Sequence, residues 1–249
     1  MARFYVADPV MDRGEIVVSG PEAHHMQRVL RLKRGDRVEI FDGTGRQYQG
    51  LIARQDRRSV RVKILEIRGA GGEVPFRVVM GQSLIKGDKM DSVIQKASEL
   101  GVSELVPFVS SRSIPRLDRD RREVRMGRWR KIAIESSKQS GRPIPLRVED
   151  VVDFHEALRR HARGAVRIIL WERARKGLRS FFKEKEDPLP VHDTAYFLVG
   201  PEGGFSEQEV AEAEEAHFVA VRLGPRIMRV ETAGLALLSI LQYEWGDWG

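Results

Sequence analysis

Near residue 73 the hydrophobic pattern of this chain changes its period. From there on, apolar runs of strand length alternate with stretches whose apolar residues recur at helical spacing. That is the pattern of an α/β unit, a mostly parallel sheet covered by helices on both faces. The sequence predicts strands at residues 76–81, 102–109, 166–171, 195–199 and 218–223. Between the first two, Met90, Val93, Ile94, Ala97 and Leu100 share one helical face, and Gly101 stands where a C-terminal cap belongs. Residues 120–140 read as a long, very basic helix stopped at Gly141. Residues 181–192 read as a charged, proline-containing connector, and residues 231–245 as a last helix apolar on nearly every side. Such a helix has to be covered all round, by its own domain or by a second subunit.

The first 68 residues are of another kind. Strands are predicted at residues 3–6, 15–18, 37–41, 47–54 and 60–67, where Val60, Val62 and Ile64 alternate with Arg61 and Lys63 as in a half-buried strand. Asp42-Gly43-Thr44-Gly45 is a turn signal, and a short helix is expected over residues 21–32, with His25, Val29 and Leu32 on one side. A small β-barrel over residues 1–68 follows. Gly69-Ala70-Gly71-Gly72 breaks the pattern before a second domain at residues 73–249.

Composition narrows the partners. A net charge of +7 and a pI near 9.8 favour a polyanion, and arginine outnumbers lysine 33 to 10, a bias that suits phosphate and base edges. There is no cysteine, so disulfides, thiolate metal sites and cysteine nucleophiles are excluded. The pair His24-His25 does not suggest a metal site, because adjacent side chains diverge and no carboxylate cluster accompanies them. Charged residues interrupt the first thirty positions, and no apolar run approaches the roughly 18 residues of a membrane span. A soluble, cytoplasmic protein with no membrane partner is expected.

The sharpest local signal is residues 196–209. An apolar strand runs into Gly200-Pro201-Glu202-Gly203-Gly204; Ser206 and Glu209 then make a capping box, with Phe205 and Val210 placed as a hydrophobic staple. Glycines at the carboxyl end of a strand let a backbone approach a ligand closely, although the same pattern also suits a tight structural turn. A second strand leads through Gly224-Pro225-Arg226 into residues 227–232 and the last helix, and a third candidate strand ends at Leu170-Trp171-Glu172. None of these is a P-loop or a Gly-x-Gly-x-x-Gly fingerprint, which argues against NTP hydrolysis and a nicotinamide cofactor.

Gly200-Pro201-Glu202-Gly203-Gly204-Phe205-Ser206 together with Leu223-Gly224-Pro225-Arg226-Ile227-Met228-Arg229-Val230-Glu231-Thr232-Ala233 resembles the two signature motifs of the SPOUT methyltransferases. The form is that of bacterial 16S ribosomal RNA uracil-N3 methyltransferases, which act on uridine 1498. The resemblance extends to His24-His25 with Val29-Leu30-Arg31, to Phe41-Asp42-Gly43, to Lys89-Met90-Asp91, to residues 95–101, and to residues 136–140; Met228 departs from an expected Leu.

The resemblance implies a PUA-like β-barrel followed by an α/β methyltransferase domain whose C-terminal part is tied in a trefoil knot, working as a homodimer on 16S ribosomal RNA or the small subunit. It implies S-adenosylmethionine as cofactor, held by Leu170, Gly200, Pro201, Glu202, Gly203, Gly204, Leu223, Gly224, Ile227, Met228, Arg229 and Thr232. Loss of the weakly acidic N3 proton assigns charge stabilisation to Arg229 and proton acceptance to Glu202 or Glu231, against simpler roles as a phosphate contact and a helix-dipole charge. RNA contacts are expected from Arg3, Arg28, Arg31, Lys33 and Arg34 on the barrel, and from Lys86, Lys89, Lys138, Gln139 and Arg142 on the catalytic domain. Two other functions compete: methylation of a ribose 2′-hydroxyl or a tRNA base by the same fold, and a non-catalytic RNA-binding protein of ribosome assembly.

Overall fold

The computed structural model describes residues 1–69, 76–113, 118–161, 165–184 and 194–248. It divides into two compact units, residues 1–73 with 137–145, and residues 74–136 with 146–249. Ala70, Gly71 and Gly72 of the expected break, and residues 185–192 of the expected connector, lie outside the described residues.

In the first unit β1 (Ala2–Tyr5), β2 (Met11–Asp12), β3 (Glu15–Ser19), β4 (Arg37–Phe41), β5 (Gln47–Asp56) and β6 (Ser59–Arg68) form one sheet in the order β1-β4-β5-β6-β3-β2. Only β1 and β4 run parallel. Alternation sends Ile16, Val18, Val60 and Val62 inward with Phe4, Val38, Ile40 and Ile52. A register shift at Gln49/Gly50 brings the backbones so close that a Cβ on Gly50 would sit 2.4 Å from the Lys63 carbonyl oxygen, so only glycine serves there. The expected helix over residues 21–32 is instead α1 (Gly20–His24) continued by a wide π turn, His25–Val29. Ala23 and Met26 enter the core and His25 packs edge-on against Phe4, whereas Val29 is 62% exposed.

Two expected RNA contacts are internal to this unit. The Arg3 guanidinium donates to Glu39 Oε1 at 2.6 Å and to the Ser137 carbonyl at 2.9 Å, and lies over the Phe41 ring. Lys138 is paired with Glu22, and both side chains are largely covered. Lys138, Gln139 and Arg142 also fall in this first unit and not in the second, as the sequence alone had them. The reason is local: the last turn of a long helix can be recruited by whatever packs against it, a choice hydrophobic period does not record.

The second unit holds β7 (Arg77–Ser83), β8 (Glu104–Val109), β9 (Arg147–Val148), β10 (Val152–Asp153), β11 (Ala165–Leu170), β12 (Thr194–Val199) and β13 (Val219–Val221). Every pairing is parallel, in the order β10-β8-β7-β12-β11-β13, with β9 beside β8. Alternate residues face opposite cores. Val78, Met80, Ile168, Phe197 and Val199 point to the side packed with α2 (Lys89–Glu99), α3 (Arg119–Ser140) and α7 (Val230–Trp245). Val79, Ile169, Tyr196 and Leu198 point to the side packed with α4 (Phe154–Arg159) and α6 (Glu207–Glu215). The helix α5 (Leu178–Lys183) stands where the connector was expected to begin: Leu178 and Phe181 are buried, so its six residues are held by packing, although too short for a clear periodic signal. The short β2, β9, β10 and α4 were not anticipated for the same reason.

The last helix is covered on one side only. Gly234, Leu237, Leu238, Leu241 and Gln242 are buried, while Leu235, Ala236 and Ile240 are half-buried and Tyr243 is 65% exposed. Its packing is close: a Cβ on Gly234 would stand 2.6 Å from Met80 Cε. Among the described residues no helix is long and apolar enough to cross a membrane.

At the amino edge of the sheet, Glu104 is 1% exposed and accepts from Arg147 and from the His161 ring at 3.0 Å, with Arg77 at 3.8 Å. Burial raises its pKa, but the bonds from His161 and Arg147 outweigh that and hold it at about 2, against an ordinary 4.5. A carboxylate depressed in this way stabilises the fold fully above pH ~4.5 and loses that contribution as pH falls toward 2. The shift corresponds to about 3 kcal/mol. Glu104→Gln should therefore lower the denaturant midpoint at pH 7 and flatten the pH dependence of stability between ~4.5 and ~2. A variant as pH-sensitive as the wild type in that window would remove Glu104 from the account.

Candidate functional site

Strands that all run one way bring their carboxyl ends to one edge, and there β11, β12 and β13 each release a loop. The three loops enclose a cleft of about 240 Å³. Leu170, Trp171 and Glu172 line it from β11. Residues 199–205 line it from β12, and residues 221–228 with Val230 and Ala233 from β13 and the start of α7. Ten of the twelve residues expected to hold a cofactor are thus on one wall or another. Arg229 and Thr232 are not: Arg229 is the exposed N-terminal cap of α7, its carbonyl accepting the amides of Thr232 and Ala233 at 2.9 Å each.

The glycine loop is held by its sequence neighbours. The Ser206 side chain accepts from the Glu209 amide and Glu209 Oε2 from the Ser206 amide at 2.9 Å, so both halves of the capping box form. Phe205 is buried against Phe108 and Phe154. This ring turns the loop back tightly, since a Cβ on Gly200 would lie 3.1 Å from it. Gly204 has φ +66°, a left-handed conformation that favours glycine, and a Cβ there would meet the Glu172 carboxylate at 3.5 Å.

Two groups that the sequence did not mark hold the loop from beside it. The Arg112 guanidinium donates to the Gly203 carbonyl at 2.9 Å. The buried Gln82 amide donates to the Ser83 carbonyl at 3.0 Å and reaches the Gly200 carbonyl at 3.5 Å. Neither stands in a motif, and it is the order β8-β7-β12 in the sheet that brings them there.

Glu202 lines the cleft with the glycines. Its Oε1 accepts from the Lys86 amide at 3.1 Å and from Lys89 Nζ at 3.4 Å. Burial raises its pKa, but the backbone bonds and Lys89 bring it below the ordinary carboxylate range. A carboxylate so stabilised is a poor proton acceptor, which weighs against it as the base. Glu231 Oε2 lies 3.9 Å from the same Lys89 nitrogen, is shielded from solvent and has no hydrogen-bond partner among the described residues. Lys89, expected to touch RNA, is paired with two candidate catalytic carboxylates and keeps 40% of its side chain exposed. Lys86 and Gln139 are exposed, as are Arg28, Arg31, Lys33 and Arg34 on the first unit, where Val29 and Leu30 are exposed among them. Among the described residues no three His, Asp or Glu converge as metal ligands would.

Residues 72–242 match the model of an RNA methyltransferase domain, and residues 18–65 that of an RNA methyltransferase PUA domain. A ribosomal RNA small subunit methyltransferase E of Bacillus subtilis is 34% identical over 91% of this chain and 89% of its own length. One from Aquifex aeolicus is 30% identical over 91% and 93%. The crystal structure of such an enzyme from Neisseria gonorrhoeae, bound to S-adenosylmethionine, superposes with a TM-score of 0.89, 32% identity and full coverage of both chains.

Proposed function

This chain belongs to the RNA methyltransferase family that carries a PUA domain, and we propose that it transfers a methyl group from S-adenosylmethionine to N3 of uridine 1498 in 16S ribosomal RNA. The observation that carries the reading is the cleft at the carboxyl edge of the sheet, built from both glycine-containing loops. Its chemistry fits the cofactor. Leu170, Leu223, Ile227 and Met228 offer apolar surface to an adenine face, the loop backbones offer amides and carbonyls to its edge, and Glu172 and Glu202 offer negative charge to a cation. When bound there, S-adenosylmethionine would supply an electrophilic methyl group on a sulfonium. The protein's share is orientation, because in-line displacement depends chiefly on alignment at near-attack distance. Both carboxylates face Lys89, and Glu231 is the better acceptor for the N3 proton because Glu202 Oε1 already accepts two hydrogen bonds while Glu231 Oε2 accepts none among the described residues. Arg229 would stabilise charge spreading onto the uracil carbonyls, reaching in from the rim once RNA is bound.

The wider reading includes a cytoplasmic homodimer and the trefoil knot implied by the resemblance, with the last helix passed through a loop of its own chain. The half-covered face of α7, through Ala236, Ile240 and the exposed Tyr243, supports the dimer. Sedimentation at micromolar concentration should show a dimer, and a fully active monomer would remove that part.

Mass mapping of 16S RNA after incubation with enzyme and cofactor should place one methyl group on the uracil ring of residue 1498. Gly204→Val should abolish both the product and the calorimetric signal of cofactor binding in a folded protein, because a branched side chain is not tolerated at φ +66°. A methyl group on ribose or on tRNA alone would overturn the assignment.

The exposed arginines of the first unit divide labour with Arg229. Arg31→Ala should weaken RNA binding and flatten its salt dependence by about one unit of slope, without touching cofactor affinity. Arg229→Ala should lower the single-turnover rate by on the order of a hundredfold with RNA affinity nearly kept. The reverse pattern would make Arg229 a phosphate contact.

A further inference from the structure

The sequence singled out Lys89 as a contact to RNA, and the function just proposed leaves it without a task. Its surroundings point elsewhere. Lys89 is the first residue of α2, and its ammonium group lies 3.4 Å from Glu202 Oε1 and 3.9 Å from Glu231 Oε2. Glu202 belongs to the glycine loop after β12. Glu231 belongs to the first turn of α7, directly after the loop from β13. Both loops line the same cleft, with Glu202 on its wall and Glu231 placed between the lining residues Val230 and Ala233, and one cation lies within 4 Å of both carboxylates.

The chemistry makes that cation necessary. Glu202 and Glu231 converge on a common point, and two carboxylates brought together without a counter-charge repel. Glu231 Oε2 has neither water access nor a hydrogen-bond partner among the described residues, so the Lys89 charge is what offsets its burial. Glu202 is tied to the same helix start a second time, through the Lys86 amide at 3.1 Å. Both loops are thereby referred to one fixed point, the amino end of α2, whose Met90, Val93, Ile94 and Ala97 are seated in the core. A contact to RNA would have to compete with the two carboxylates already paired to the ammonium group.

We propose that Lys89 is a positioning residue that straps the glycine loop to the start of α7 beside the cleft, an inference that rests on the S-adenosylmethionine reading given above. Lys89 does not touch the reacting atoms in this account. It sets the distance between the walls that hold them and keeps Glu231 in place as the proton acceptor. Because the strap is partly exposed, with 40% of the Lys89 side chain open to solvent, it contributes little to folding. Its effect falls on the placing of the glycine loop relative to the start of α7.

The test compares Lys89→Met, Lys89→Arg and Glu231→Gln with the wild type in the full chain, using S-adenosylmethionine itself as the probe in calorimetry. Lys89→Met should bind the cofactor roughly tenfold more weakly, raise the cofactor KM more than it lowers kcat, and unfold at nearly the wild-type temperature. Lys89→Arg keeps the charge and should recover most of the affinity. Glu231→Gln removes one arm of the strap and should weaken cofactor binding in the same direction, which keeps the idea testable if Lys89→Met does not fold. RNA binding measured at several salt concentrations should give the same slope for Lys89→Met as for the wild type. Cofactor affinity unchanged in Lys89→Met, or a salt slope flattened by about one unit, would return Lys89 to the RNA surface and sink the strap. A wild-type chain that itself gives no calorimetric signal with S-adenosylmethionine would instead overturn the function on which the strap rests.

Discussion

A parallel sheet buried on both faces leaves its backbone nowhere to meet a ligand except at the ends of its strands. In this protein the alternation along β7, β11 and β12 sends every second side chain into one of two separate cores, so both faces are filled. The amino edge is closed by the buried Glu104 with Arg147, His161 and Arg77. At the carboxyl edge the neighbouring strands β12, β11 and β13 release loops side by side. The cleft follows from that arrangement, and the glycines follow from the cleft, because backbone can line it only where side chains give way.

What holds the loops in shape is local on one side and distant on the other. The capping box of α6 and the buried Phe205 fix the exit of the glycine loop from within its own segment. Arg112, Gln82, Lys86 and Lys89 fix its remaining turn from a strand, two turns and a helix start more than eighty residues earlier in the chain. The charges there are arranged as partners rather than as a surface. Glu202 is satisfied by those partners, whereas the shielded Glu231 Oε2 has no hydrogen-bond partner among the described residues.

The first unit uses charge in two ways that its composition does not separate. Arg3 and Lys138 spend their charge on Glu39 and Glu22 and are structural. Arg28, Arg31, Lys33 and Arg34 remain exposed on the segment after α1, where the wide π turn and the left-handed Arg31 at φ 52° present them. An even distribution of arginine along the sequence thus becomes, on folding, a buried set and a displayed set.

The sequence by itself determined the elements with strong period: the long strands of both units, the helices α2, α3 and α7, and the capped start of α6, because hydrophobic spacing and capping are local properties. It also determined the candidate cleft, since both loops carry glycines at strand ends, and the family, since the two motifs are distinctive. Only the tertiary structure decided which charges are spent inside. Arg3, Lys138 and Lys89 look like any surface cation in one dimension, and their carboxylate partners lie from 36 to 142 positions away, on the barrel, the glycine loop and α7. It alone decided the transfer of residues 137–145 to the first unit, and the roles of Arg112 and Gln82 beside the loop. Those outcomes depend on which strands become neighbours, and strand order is a property of the whole packed sheet that no segment encodes.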